Sequence, residues 1–189
     1  MEIYLIRHTT PEIEKGICYG QSDLPVALSF ADEFARLRLH LPDTFDTVYA
    51  SPLQRCQQLA LRLHTNTLIN DSRLMEMNFG DWELRKWDEI PASQLDVWMK
   101  DFVQVPAPNG ENFATLSARA GQFYDELKVI PGQKTAIVSH AGVIRALLAK
   151  VLELPLRNAF KLPVSYGSVT KLHMDPVSCH CNLEYLNRG

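Results

Sequence analysis

The chain has 189 residues, 46% hydrophobic and 22% charged, with a net charge of -3. That is long and apolar enough to bury a substantial core, which excludes an intrinsically disordered chain. A slightly acidic balance gives no long-range attraction for nucleic acid or an anionic membrane, so a basic site, if present, is local.

The first stretch, IYLI (3–6), predicts a buried strand that runs directly into Arg7 and His8, with Pro11 preventing simple continuation. LSFADEFARLRLHL then places Phe30, Phe34, Leu37 and Leu41 at helical spacing. TVYAS (47–51) reads as a second strand, with Ser51 and Pro52 supplying cap and first-turn signals for a helix over PLQRCQQLALRLH. TLI (67–69) is a short third strand. GENFATLSARAGQFYDELKVI predicts a helix with Phe113, Leu116, Ala120, Phe123 and Leu127 on one face, ended by Pro131 and Gly132. TAIVSH (135–140) repeats the buried-strand pattern and leads into an apolar helix, AGVIRALLAKVLEL. SVTKLHM and NLEYLN close the chain as a hairpin or edge pair.

Strands alternating with helices indicate an α/β fold with a central, mostly parallel sheet flanked by helices. Between about 73 and 110 the alternation lapses. That window holds Trp82, Trp87 and Trp98 with Met75, Met77, Phe79 and Phe102. Its composition fits either a small cap over a site or a satellite hydrophobic cluster, because lid and minicore draw on the same residues. The N-terminus lacks the basic and long apolar regions of a signal peptide, and no run approaches the ~18 apolar residues of a membrane span. The expected location is the cytoplasm.

Three of the predicted strands are each followed within a few residues by basic groups: Arg7 and His8, Arg55, and His140. In an open α/β sheet, ligands bind outside the carboxyl ends of the strands, so these side chains can converge. Helices beginning near Arg55 and after His140 would add backbone N–H groups to the same corner. Two arginines and two histidines buried together repel one another unless an anion joins them, and the implied ligand is a phosphoryl group.

LIRHTTP resembles the RHG motif that names the histidine phosphatase superfamily, also called phosphoglycerate mutase-like, and ASPLQRCQQLA is similar to its S-x-L-x-R motif. LMEMNFGDWE resembles the family's L-x-E-x-x-F-G-x-W-E segment, and VSHAGVIRAL its second-histidine motif. These matches fall in the family's order, with GENFATLSAR between the last two. The resemblance implies one domain over 1–189 with a cap-like insertion at about 73–110, no metal and no cofactor. It implies His8 as nucleophile, Arg7, Arg55 and His140 as phosphoryl ligands, and Glu76 as the acid that protonates the leaving oxygen and then the base that activates water. For its first role Glu76 must begin protonated, which apolar neighbours such as Met75, Met77 and Phe79 would favour; Asp81 and Glu83 are weaker candidates.

Within the superfamily, RHTTPEIEKGICYGQSDLPV most resembles the bacterial alpha-ribazole-5'-phosphate phosphatases of cobalamin nucleotide-loop assembly. Two departures stand out. Residue 9 is Thr where the motif commonly has Gly, which changes backbone freedom beside the nucleophile. The family's Asn after RHG has no counterpart, and Gln21 is the candidate substitute. Tyr19, Phe79 and Trp82 are candidates to stack on a flat base.

The expected partner is a small phosphate ester; the oligomeric state is not indicated. Alternatives are a phosphoglycerate mutase or another small-molecule phosphatase of the superfamily, and a phospholigand-binding protein without turnover. Cys18, Cys56, Cys179 and Cys181 do not form the spaced pairs of a disulfide framework. A zinc site from Cys179, His180 and Cys181 with His173 is the least favoured reading; a turn before the last strand is the plainer one.

Overall fold

The computed structural model describes residues 1–127, 130, 132–178 and 180–189. The strands are β1 (Glu2–Arg7), β2 (Thr47–Ala50), β3 (Leu68–Asn70), β4 (Lys134–Ser139), β5 (Val169–Met174) and β6 (Cys181–Arg188), and they form one sheet in the order β3-β2-β4-β1-β5-β6. β3, β2, β4 and β1 run parallel, while β5 pairs antiparallel with β1 and β6 antiparallel with β5. Among the described residues the α-helices are α1 (Phe30–Arg38), α2 (Gln54–Ala60), α3 (Ala92–Lys100), α4 (Phe113–Asp125) and α5 (Ala141–Val151). The mostly parallel α/β arrangement expected from the alternation is the one observed.

The central strands are apolar at consecutive positions because both faces are covered. In β1, Ile3 and Leu5 pack with Phe113, Leu116 and Phe123 of α4 and Val143, Ile144 and Leu147 of α5. Tyr4 and Ile6 point the other way, toward Leu37 of α1 and Cys56 and Leu59 of α2. β6 lies at the edge, and its alternation of exposed and half-buried residues fits one covered face.

Several element ends differ from the sequence reading. Ser51 is not the cap residue of α2: Leu53 is, without a side-chain cap bond, and the helix ends at Ala60. α4 starts at Phe113, capped by the Asn112 side chain, which accepts the Thr115 N–H at 2.8 Å. α5 stops at Val151, and Glu153 adopts a left-handed backbone (φ 52°) that cannot continue a helix. Pro131 and Cys179 lie outside the described residues, so the stop signal placed on the first and the zinc reading that used the second do too. Among the described residues, no group of three or more His, Cys, Asp and Glu is placed to hold a metal ion, and no helix is long and apolar enough to cross a membrane.

The window from 73 to 110 holds α3 and two short 3-10 turns, Gly80–Trp82 and Trp87–Glu89. Its aromatics divide. Trp82 and Trp98 are buried in the same hydrophobic cluster as α4 and α5, whereas Phe79 and Trp87 are only partly buried against it.

Candidate active site

β2, β4 and β1 are neighbours and parallel, so the residues that follow them emerge at one edge of the sheet. His8 leaves β1 with its N–H donating to the Ser139 carbonyl at 3.0 Å, which ties it to the end of β4. A cavity of about 190 Å³ opens at this edge, with Arg7, His8, Arg55 and Glu76 on its polar side. Its other walls are Ile17, Tyr19, Phe79 and Trp87.

The His8 imidazole is fixed at both nitrogens. Nδ1 lies 2.7 Å from the carbonyl of Thr9, which can only accept, so Nδ1 carries the proton. Nε2 receives the Arg55 Nε–H at 3.3 Å, and since a guanidinium only donates, Nε2 keeps its lone pair. Burial, then the charges of Arg55 and Arg7, hold His8 well below the usual imidazole range, so the ring is neutral at pH 7. The hydrogen-bond acceptor that orients His8 is thus its own neighbour's carbonyl. Thr9 is not among the residues with positive φ, so glycine's freedom is not needed there.

Arg55 is fully buried at the second position of α2. Besides its Nε contact, it donates to the Ser22 carbonyl at 2.9 Å and the Gly20 carbonyl at 2.6 Å. Arg7 donates to the Val164 carbonyl at 2.6 Å, and its guanidinium carbon sits 3.7 Å from the centre of the Tyr166 ring. Its Nε–H is buried without an acceptor, a donor that an oxyanion would satisfy. Tyr19 and Tyr166 meet through their hydroxyls, and Tyr166 also lies 5.6 Å from the His8 ring.

His140, the residue before α5, is buried with its ring 5.0 Å from that of His8, but it is not on the cavity wall. Its Nε2 is 2.9 Å from the Ser51 hydroxyl. Burial first, and then the nearby His8, Arg55 and Arg7, keep it well below the usual imidazole range. The free N–H groups expected at this helix start have a nearer use: Gly142 N–H donates to Glu76 Oε2 at 3.0 Å. Met77 N–H donates to Oε1 at 2.9 Å, so both oxygens of Glu76 are anchored. Gln21 does not line the cavity; its side-chain amide donates to the Glu76 carbonyl at 3.0 Å.

Sequence reasoning missed Arg119 and named Glu83 only as a weaker acid candidate, yet both build this geometry. Glu83 accepts the N–H groups of Gly20, Gln21, Ser22 and Phe79 and the Ser22 hydroxyl, binding two loops together. Arg119 of α4 donates to the carbonyls of Arg73, Met75 and Glu76 and pairs with Glu111, whose carboxylate accepts the Asn78 N–H. Ser51, with the local pattern of a cap, instead holds His140. Trp82, named for stacking, is 1% exposed and buried in the core; Trp87 takes the cavity wall. Asp81 accepts from Asn109 at an exposed position and does not line the cavity.

The chain is similar to known proteins over nearly its full length. A Hydrogenobacter thermophilus protein provisionally named phosphoserine phosphatase 2 is 29% identical over 98% of this chain and 95% of its own. The adenosylcobalamin/alpha-ribazole phosphatase of Escherichia coli strain K12 is 30% identical over 88% of this chain and 87% of its own. The crystal structure of the alpha-ribazole phosphatase from Shigella flexneri superposes with a TM-score of 0.87 at 28% identity, covering 99% of this chain and 96% of the other. Residues 3–187 match the histidine phosphatase superfamily (branch 1). With that match spanning the edge where His8, Arg55 and Glu76 meet, the chain belongs to the histidine phosphatase superfamily and is a phosphatase-type enzyme of its first branch.

Proposed function

We propose that the chain hydrolyses a small phosphomonoester through a phosphohistidine on His8, and that its substrate is alpha-ribazole 5'-phosphate. The observation that carries the reaction is the tautomer of His8: Nδ1–H on the Thr9 carbonyl and an unprotonated Nε2 beside Arg55. A neutral imidazole held this way is a nucleophile at pH 7 without a separate base.

In the first step Nε2 forms a bond to phosphorus as the ester P–O bond breaks. Glu76, on the cavity wall, is placed to pass a proton to the departing oxygen. Arg55 Nε–H turns from the ring to a phosphoryl oxygen as the ester approaches, and Arg7 offers its unpartnered Nε–H to another. These fixed cations stabilise the charge spread over the equatorial oxygens. His140 supports the nucleophile from beside the His8 ring, and Gln21 acts by pinning the backbone of Glu76. In the second step water attacks phosphorus, the P–N bond breaks with its electron pair returning to Nε2, and the Glu76 carboxylate takes the water's proton. No step calls for a metal.

The substrate assignment draws on the names of the Escherichia coli and Shigella flexneri relatives and on the Phe79 and Trp87 walls, which suit a flat base. The test is a phosphomonoester panel containing alpha-ribazole 5'-phosphate, phosphoserine and 3-phosphoglycerate, run with and without chelator. The expected result is highest kcat/KM on alpha-ribazole 5'-phosphate, insensitivity to chelator, and loss of both turnover and acid-labile phosphoenzyme labelling in His8→Ala. Full activity in His8→Ala overturns the mechanism; preference for phosphoserine overturns the substrate.

A further inference from the structure

A second cavity, of about 400 Å³, adjoins the first. It is lined by Phe79, Trp87, Trp98, Met99, Phe102 and Phe160, with no charged or hydrogen-bonding side chain other than the tryptophan indoles. Phe79 and Trp87 belong to the walls of both cavities, so the two adjoin with these rings between them. The rings meet edge to face, 5.5 Å between centroids, and Trp98 closes behind them at 6.1 Å from each. Phe160 stands on the far side, packed 4.7 Å from Phe102.

We infer that this groove is the leaving-group subsite and that it selects esters of flat aromatic alcohols or of alcohols carrying a flat aromatic group, against small carboxylated esters. The inference rests on the reading of His8, Arg7 and Arg55 as the phosphoryl end. With phosphorus there, the Tyr19–Tyr166 hydroxyl contact joins the loops beside Arg7 and Arg55, and Phe79 and Trp87 wall both the cavity and the groove. The aromatic lining offers stacking faces and apolar area to a planar ring system. A carboxylate would lose its hydration on those walls without gaining a partner. Arg145, whose guanidinium carbon is 5.1 Å from the Phe160 ring centre, donates Nε–H to the Leu162 carbonyl and lines neither cavity. Met99 is 63% exposed and Phe160 46% exposed, so the groove's outer lip is open to solvent and tolerant of substitution.

The occupant is therefore part of a substrate, and charge at the lip should discriminate between ester classes. The experiment compares kcat/KM for 1-naphthyl phosphate and phosphoserine in the parent chain, Met99→Glu and Phe160→Ala. It also compares binding of the non-hydrolysable 1-naphthylphosphonate and methylphosphonate by calorimetry. The parent should favour the naphthyl compounds by roughly tenfold or more in both readouts, since a buried bicyclic ring removes much apolar area from water. Met99→Glu should remove most of that preference in both turnover and phosphonate binding. Phe160→Ala, a milder change, should lower the naphthyl preference without introducing charge.

Equal affinity for both phosphonates, or a phosphoserine preference that Arg145→Gln abolishes, overturns the inference. So does a parent dimer that Met99→Glu dissociates with ester selectivity unchanged, because a second copy then covers the groove. Failure of alpha-ribazole 5'-phosphate alone, with the naphthyl preference intact, overturns the named substrate and leaves the subsite standing. The phosphonate measurement decides the subsite even without turnover.

Discussion

Arg55 donates its Nε–H to Nε2 of His8 across 3.3 Å while its terminal nitrogens hold the carbonyls of Ser22 and Gly20. One planar group thus orients the nucleophile, ties down the loop that covers it and carries the positive charge nearest the attacking nitrogen. Arg55→Lys keeps the charge but has one nitrogen to do the work of three. Phosphoenzyme formation in a single turnover should slow on the order of 10²-fold to 10³-fold, with loss of less than tenfold showing that a point charge suffices.

The same burial that keeps His8 neutral makes stability depend on pH. His8 and His140 both lie below the ordinary imidazole value, each first through desolvation and then through neighbouring positive charge. The unfolded chain protonates both near about pH 6.5 while the folded chain does not, so unfolding takes up protons below that pH. Stability should be fully present above it and fall as the pH drops toward the folded values, by up to about 2.7 kcal/mol per pH unit for the two rings together. Denaturant titrations at pH 7.5, 6.5 and 5.5 measure the slope. Imidazole resonances of His8 and His140 should stay flat between pH 7.5 and 6; a midpoint at 6.5 for His8 would mean that water reaches the ring.

The convergence of Arg7, His8 and Arg55 was legible because Arg7 and His8 stand at the end of one apolar strand, Arg55 follows another within a few residues, and parallel strands end on one edge. What holds those groups was not legible, because it is made through space. Nothing local links Glu83 to Gly20 or Arg119 to the Glu76 carbonyl. Ser51 followed by Pro52 has the local pattern of a cap, yet the hydroxyl goes to His140, a partner 89 residues away. α3 begins after Pro91 with no side-chain cap, so its start carried no signal. Composition likewise cannot separate Trp82, which fills the core, from Trp87, which lines the cavity.

Glu76 and Gly142 offer a test of proton transfer that leaves the nucleophile in place. Gly142 N–H holds Glu76 Oε2, and a Cβ at residue 142 would clash with Oε1 of the same carboxyl. Gly142→Ala should therefore displace the acid without touching His8 or Arg55. Alkyl phosphates, whose leaving oxygen needs a proton, should lose roughly 10²-fold in kcat, as they should in Glu76→Gln. Release of p-nitrophenolate, a stable anion, should fall far less in the same assay of phosphoenzyme formation. Equal losses on the two ester classes would assign the defect to general disruption of the pocket.

Glu83 sets the position of the loop that Arg55 grips. It accepts N–H groups from Gly20 and Gln21 at 2.9 Å and from Ser22 and Phe79 at 3.1 Å, plus the Ser22 hydroxyl at 2.5 Å. Burial alone would raise its carboxyl, but these bonds, with Ser22 foremost, outweigh it and hold the group below its ordinary value. Glu83→Ala leaves those N–H donors without their acceptor and should cost about 2–4 kcal/mol at pH 7, measured by chemical denaturation. The stabilisation is present above the unfolded carboxyl value, about 4.3, and is lost as the pH falls through the lower folded value. The gap between parent and variant should accordingly narrow at pH 3.5. With the Gly20 and Ser22 carbonyls no longer fixed, Arg55 loses its seat, and kcat/KM should drop by about tenfold. A variant as stable as the parent at pH 7 would mean that water replaces the carboxylate at all four N–H groups, leaving Arg55 to hold the loop by itself.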